Sequence, residues 1–140
     1  MPETYERFGV RLKYPDNWRV EAGEQREPHE VTINSPNTAF WSLSVFQEPP
    51  DRQQLLENTL EAMQAEYPEL ECEHAEEIVA SRKLVGYDLR FYCLDLTNTA
   101  LVRVFDHRGS TCLLLAQSED RELETAGPVF AAMTRSLLED

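Results

Sequence analysis

The stretch that most constrains the fold runs from Leu84 to Gln117, where the pattern predicts three consecutive β-strands. Residues 87–94 alternate an apolar set with a more polar set, which is the two-residue period of a strand with unlike faces. Residues 100–105 and 111–116 are rich in aliphatic and β-branched residues, as strands are. Between these two segments, Gly109 can take the left-handed conformation that a short hairpin loop needs. The sequence therefore predicts a central antiparallel meander.

Three more strands are expected before the meander. Residues 8–20 begin with a strand, and a Pro-Asp-Asn turn then places Trp18 to fold back over the edge of the sheet. Residues 31–33 and 39–47 predict the other two strands, and the longer one carries apolar residues at alternate positions. Residues 21–30 are polar and are expected to form a loop.

Two helices are predicted, one between the two groups of strands and one at the end of the chain. Asp51 can cap the first helix, with Gln54 completing a capping box, and Pro68 ends it. Its apolar residues recur at helical spacing: Leu56, Leu60, Met63 and Tyr67. The second helix spans residues 118–138, and Pro128 predicts a kink or a break just before it. Its apolar stripe comprises Leu123, Ala126, Phe130, Met133 and Leu137.

Between the first helix and the meander the chain is expected to be extended. Residues 69–74 alternate glutamate with other residue types, which is typical of a strand exposed on one side, and residues 76–83 continue it. The order is three strands, a helix, four strands and a helix within a single domain, residues 1–140. Two helices against a largely antiparallel sheet of about six to seven strands make an α+β fold.

Charge excludes several kinds of partner. The formal net charge of −13 argues against nucleic acids and against anionic membrane surfaces. Residues 48–77 hold ten acidic residues and one basic residue, so this region is either a solubilising face or a landing surface for a basic partner. No apolar run approaches the ~18 residues that a membrane span needs. The start of the chain carries no secretion signal, so a cytoplasmic location is expected.

No catalytic, cofactor or metal signature stands out in the sequence. The five glycines are scattered, which excludes a phosphate-binding loop of either common type. Cys72 and His74 come closest to a metal pattern but lack further ligands nearby. His107 is expected at an exposed hairpin tip, and Cys93 in an apolar strand without a neighbouring base. We therefore expect a protein that is not an enzyme and that has no cofactor.

The sheet offers a candidate contact surface instead. Arg90 and Tyr92 on one strand are expected to share a face with Arg103 on the next strand. Ser44 and Phe46 are placed on the same face. Such a half-polar patch with aromatic edges suits a protein or peptide partner. The alternative is that the two arginines only pair with acidic groups across a solvated sheet face.

Two segments resemble a known family. Residues 9–18, GVRLKYPDNW, resemble the opening strand and the proline–tryptophan turn of the PsbP/Mog-like superfamily. Residues 130–137, FAAMTRSL, are similar to its terminal helix. The chain resembles a bacterial PsbP-like or DcrB-like domain of this superfamily. This resemblance implies an α/β/α sandwich and a non-enzymatic role. Members include a photosystem II subunit, a nuclear import factor, envelope lipoproteins and secretion-effector chaperones, and no binding residue of theirs carries over.

The expected function is therefore a non-catalytic, cytoplasmic protein-binding module of the adaptor or chaperone kind. Its partner would be another protein, and the chain itself a monomer or a homodimer. The alternative is a small-molecule-binding protein or a minor enzyme, with a pocket between the sheet and the first helix.

Overall fold

The structure is a computed structural model that describes residues 2–23 and 26–139. Two residues of the expected loop 21–30, numbers 24 and 25, lie outside this description. The described residues form nine strands and two helices in this order: β1 (Glu3–Arg7), β2 (Val10–Tyr14), β3 (Arg19–Ala22), β4 (His29–Asn34), β5 (Phe40–Phe46), α1 (Arg52–Glu66), β6 (Glu71–Val79), β7 (Arg82–Cys93), β8 (Leu96–His107), β9 (Ser110–Glu119) and α2 (Asp120–Glu139).

Seven strands form one antiparallel sheet in the order β3-β4-β5-β9-β8-β7-β6, and β1 pairs with β2 in a separate hairpin. The α+β class and the antiparallel sheet are confirmed. β1 and β3 were not predicted as strands, because nearly all of their side chains are exposed and their sequences are polar. Such strands carry no alternation of apolar residues, which is the signal that sequence analysis relies on.

Tight turns join the paired strands. Four hairpins have positive φ at both central residues: Phe8-Gly9, Ala80-Ser81, Leu94-Asp95 and Arg108-Gly109. This is the signature of the type I′ turn, whose twist matches that of the flanking strands. The last turn is two residues long, shorter than the loop expected over residues 106–110. His107 therefore stays in β8, paired with Ser110.

The two faces of the sheet are covered by different helices. On one face α2 packs over residues such as Trp41, Leu43 and Leu114, all less than 5% exposed. On the other face α1 packs over the β7–β8–β9 half, against a second cluster that includes Leu89 and Val102. The arrangement is the expected α/β/α sandwich, with two separate cores on either side of one sheet.

Trp18 and both helices take their predicted places, with two exceptions in the detail of the helices. Trp18 is 9% exposed and packs edge-on against Phe130 of α2, with ring centroids 6.0 Å apart. Asp51 caps α1 through a 2.9 Å bond from the Gln54 amide, although the Gln54 side chain bonds to Asn58 and does not complete a capping box. Of the kink or break expected just before Pro128, the break does not occur, since α2 runs continuously through Pro128.

α1 is fixed at both of its ends. At its start the Arg52 guanidinium forms an ion pair with Asp106 of β8 and holds the pKa of that carboxyl below its usual range. At its end Tyr67 stacks on Phe91 of β7, with ring centroids 4.0 Å apart. These two contacts position the helix along the β7–β8 hairpin.

Glu122, in the first turn of α2, ties that helix to the β4–β5 loop. Its carboxylate accepts hydrogen bonds of 2.6–3.1 Å from the Thr38 amide and hydroxyl, the Ala39 amide and the Ser35 hydroxyl. Partial burial acts to raise the pKa of Glu122, but these four hydrogen bonds outweigh it and the pKa is lowered. The loop therefore depends on an ionised carboxylate.

We expect Glu122→Gln to lower the free energy of unfolding at pH 7 by about 1–2 kcal/mol, because an amide accepts fewer and weaker hydrogen bonds. Since the folded pKa lies below the unfolded one, this contribution is complete above the unfolded value of 4.5 and is lost as the pH falls through the folded value. Urea titrations of parent and variant between pH 7 and pH 3 should converge. Glu124 is exposed and lies two residues further along α2, so Glu124→Gln should leave the pH dependence of the unfolding free energy unchanged.

Candidate functional site

Arg103 lies at the centre of β8, and the structure buries it. The residue is 6% exposed. Its Nε donates to Glu77 at 2.6 Å and its Nη2 to Asp88 at 2.8 Å. Its Nη1 donates to the backbone carbonyl oxygens of Tyr87 and Val102, at 3.0 Å each. This guanidinium therefore joins β6, β7 and β8. Arg103 pairs with acidic groups, as the alternative to a contact surface predicted, and does not face a partner.

Gly86 makes room for this arrangement. It pairs with Arg103 across β7 and β8. A Cβ atom added at Gly86 would lie 1.9 Å from the Val102 carbonyl oxygen, which is closer than any real contact. The two strands approach each other this closely because residue 86 has no side chain.

Ser44 and Phe46 do not share a face with Arg103, so that part of the predicted surface was wrong. Ser44 pairs with Leu113, whereas Arg103 pairs with Leu114. Successive residues of a strand point to opposite faces, so Ser44 and Phe46 lie on the α1 side and Arg103 on the α2 side. The expectation failed because it depended on the register between strands, which the sequence does not reveal.

Arg90 and Tyr92 do share one exposed face of β7. Arg90 pairs with Thr99, and Tyr92, which is 68% exposed, pairs with Thr97. The pairing of β9 with β8 ends at Asn98, and β6 begins opposite Arg90. The β7–β8 hairpin therefore projects beyond both neighbouring strands from residue 92 to residue 97. We call these six residues the hairpin tip.

Leu94 is the residue of the hairpin tip that sequence analysis missed. Its side chain is 91% exposed, and its φ is +53°. Left-handed backbone conformation is unfavourable for a bulky residue, and type I′ turns prefer asparagine or glycine at this position. An exposed leucine here thus carries a conformational cost without a packing benefit in the described chain. No sequence signal marked it, because the turn Leu94-Asp95 contains neither glycine nor asparagine.

The hairpin tip is held on a rigid support. Phe91, next to Tyr92, is 4% exposed and lies beneath the Tyr67 ring at the end of α1. Beside it an open notch of about 280 Å³ lies between the segment that joins α1 to β6 and the end of β7. The residues that line it are Glu66, Tyr67, Pro68, Glu69, Leu70, Phe91 and Tyr92. The site is therefore an apolar projection next to a shallow notch, with glutamates at its rim.

A more enclosed cavity of about 250 Å³ lies between the sheet and α2. The small-molecule pocket that we considered from the sequence was expected on the other face of the sheet, under the first helix. Small side chains leave this space, because Gly127 and Ala131 of α2 face Ala116 of β9. The Arg103 guanidinium at its wall is committed to Glu77 and Asp88. The described lining thus offers an apolar space without a converging set of reactive groups.

The cysteines and the histidine weighed for chemistry differ in their exposure. Cys72 is exposed and Cys112 is buried, and both are free thiols. Burial raises the pKa of Cys112 to about 12, and burial together with Glu73 raises the pKa of Cys72. His107 is 3% exposed, so the expectation that its side chain would be exposed in the loop between β8 and β9 was wrong. Within residues 2–23 and 26–139 no group of three or more potential metal ligands occurs.

Comparison with known proteins relates this architecture to PsbP. No family model matches the sequence, and no curated protein matches it. The solution structure of cyanobacterial PsbP from Synechocystis sp. PCC 6803 has a TM-score of 0.70 at 13% sequence identity, covering 96% of this chain and 90% of that one. The chain therefore has a PsbP-like fold, as its resemblance to the PsbP/Mog-like superfamily implied.

Two further solved structures share the fold. A Pseudomonas aeruginosa protein of unknown function, described as a putative regulator, has a TM-score of 0.55 at 12% identity over 97% of this chain and 95% of that one. LpqN of Mycobacterium tuberculosis, described as involved in cell envelope biogenesis, has a TM-score of 0.52 at 16% identity, covering 100% of this chain and 87% of that one. Among the described residues, no helix is long and apolar enough to cross a bilayer.

Proposed function

We propose that this protein is a non-catalytic binding module that holds another protein through the tip of the β7–β8 hairpin. The observation that carries the proposal is Leu94, which is 91% exposed in a backbone conformation that a leucine disfavours. Residues kept in strained conformations occur preferentially at functional sites, and adjacent exposed apolar side chains, here Tyr92 and Leu94, mark interaction surfaces. Tyr92 and Arg90 add two of the residue types that contribute most to protein interfaces.

Two more features support a protein partner. The hairpin tip projects beyond its neighbouring strands, so a partner can reach it from several sides. Glu66, Glu69 and Asp95 are exposed around it, and complementary charges favour association at the rim of an interface. The partner surface would thus have an apolar recess surrounded by basic groups.

The comparisons place the fold among proteins with different described roles and do not specify the role of this one. PsbP-like structures come from a cyanobacterial protein and from a mycobacterial protein involved in cell envelope biogenesis. A shared fold does not transfer an activity, so the proposal rests on the hairpin tip itself. The cytoplasmic location expected from the sequence stays a prediction.

We expect Leu94→Asn to separate stability from binding. Asparagine accepts positive φ more readily than leucine, so the variant should gain about 0.5–1 kcal/mol in the free energy of unfolding. The same change removes an apolar contact from the proposed interface, so partner affinity should fall at least tenfold, more so when combined with Tyr92→Ser. A photo-crosslinking residue at position 97 would identify the partner, and affinity would then be measured by calorimetry.

Ser81→Asn is the matched control, because Ser81 is exposed and has a φ of +65° in the β6–β7 turn, at the other end of β7. It should gain stability to a similar extent and bind the partner as the parent does. Unchanged affinity of the Leu94→Asn, Tyr92→Ser double variant would refute the hairpin tip as the contact surface.

A further inference from the structure

β6 is an open edge of the seven-stranded sheet. It pairs with β7 along its whole length, from Glu71 to Val79. Among the described residues no strand pairs with its other side. All of its residues except Ala75 and Val79 are exposed. A row of backbone N–H and C=O groups on this side is therefore available to an added strand.

The two faces of β6 differ in chemistry. Glu71, Glu73 and Glu77 point to the α2 side, at alternate positions. Glu77 is bound to Arg103, whereas Glu71 and Glu73 have no ion pair with any described residue. The other side carries Cys72, His74, Glu76 and Ile78; Glu76 is already paired with Lys83 at 3.5 Å, and Ile78, at the end of the strand, is 77% exposed. The edge thus combines free carboxylates on one face with an exposed apolar side chain on the other.

This distribution of charge disfavours a second copy of the chain as the added strand. Pairing β6 with another β6 would bring glutamates against glutamates, and like charges opposite each other destabilise a strand pair. A strand with lysine or arginine at alternate positions would instead face Glu71 and Glu73 with opposite charges. Charged side chains protect an edge against self-association, and the same charges select a basic partner.

We infer that β6 accepts an extended basic segment of a partner protein as an eighth strand of the sheet. Its basic residues would alternate with apolar or β-branched ones, the latter lying on the side of Ile78. This inference concerns a different surface from the hairpin tip and does not depend on it, so either can fail alone.

A synthetic peptide of nine residues, with lysine at alternate positions and valine or threonine between them, is the direct probe. We expect saturable binding below about 1 mM by calorimetry, together with slowed hydrogen exchange of β6 amides by NMR. A peptide of the same composition with its lysines clustered at one end should bind more weakly. Equal binding of both peptides would refute strand addition, because a purely electrostatic contact does not require alternation.

Side-chain variants test the charges. Glu71→Gln together with Glu73→Gln should weaken peptide binding about fivefold, as expected for the loss of two partly exposed charge pairs. Glu57→Gln together with Glu61→Gln removes the same charge from the exposed face of α1 and should leave binding unchanged. An equal loss in both double variants would show a diffuse effect of net charge and refute the inference.

Backbone variants of the peptide test the geometry. N-methylation at the odd positions blocks one edge of the peptide, and N-methylation at the even positions blocks the other. One of these two peptides should lose binding and the other should retain it, since only one edge faces β6. Equal behaviour of the two peptides would refute strand addition. So would a stable dimer of the free protein with its β6 amides already protected, because a second copy would then occupy the edge.

Discussion

Gly86→Ala is expected to destabilise the protein by about 3 kcal/mol, the upper range for overpacking a well-packed position. The added methyl group would lie 1.9 Å from the Val102 carbonyl oxygen and 3.2 Å from the Arg103 Cα. Both are backbone atoms in the middle of the sheet, so no side-chain rotation can relieve the clash. β7 and β8 would have to separate, and the ladder on either side of Gly86 would weaken.

Gly127→Ala is the control for this prediction. Gly127 lies inside α2, and an added Cβ would meet only the Leu123 side chain, at an ordinary 3.9 Å. Alanine favours the helix over glycine by about 0.8–1 kcal/mol, so this variant should be as stable as the parent or more so. Urea unfolding of both variants gives the comparison. A Gly86→Ala protein within 1 kcal/mol of the parent would show that the strands can move apart at little cost.

Arg103→Met should destabilise the protein by about 3 kcal/mol. The substitution leaves the Glu77 and Asp88 carboxylates close to each other without their shared cation, and it leaves two backbone carbonyl oxygens without this donor. The two carboxylates are 43% and 42% exposed, so water compensates part of the loss. Arg103→Lys should lose less, since it keeps the charge but cannot reach all four acceptors.

Arg90→Met is the control, because Arg90 is exposed on the neighbouring strand and its removal should change stability by less than about 0.5 kcal/mol. In a double-mutant cycle, adding Glu77→Gln to Arg103→Met should cost less than it costs in the parent. Equal unfolding free energies for Arg103→Met and Arg90→Met would contradict a structural role for the buried guanidinium. This result also matters for binding studies, in which Arg90 is the arginine that can be changed without unfolding the sheet.

Much of the architecture could be predicted because burial repeats locally along the chain. The meander and both helices follow from periods of two and 3.6 residues, and the Asp51 cap follows from the residue type that begins α1; both signals depend on near neighbours in sequence. α2 shows how strongly packing can override a local signal. Pro128 predicted a kink or a break, but the helix does not break, because its apolar stripe is buried against the sheet on both sides of the proline.

The candidate site was predictable only in part. The sequence placed Arg90 and Tyr92 together, because residues two apart in one strand share a face. It could not relate Ser44 to Arg103, since the face that one strand presents relative to another depends on register, and a shift of one residue reverses it. It also treated Leu94 as an ordinary strand residue, because a left-handed backbone at a leucine has no sequence signature.

The sequence by itself thus determined both helices and the strands with buried faces, but not the exposed strands β1 and β3. The tertiary structure alone decided that Arg103 is buried and hydrogen-bonded to two neighbouring strands, and that Gly86 lets β7 and β8 approach each other closely beside it. It also decided that Leu94 is exposed on a projecting hairpin. The physical reason is that these three properties arise from contacts and pairings between distant parts of the chain, whereas periodicity reports only on neighbours.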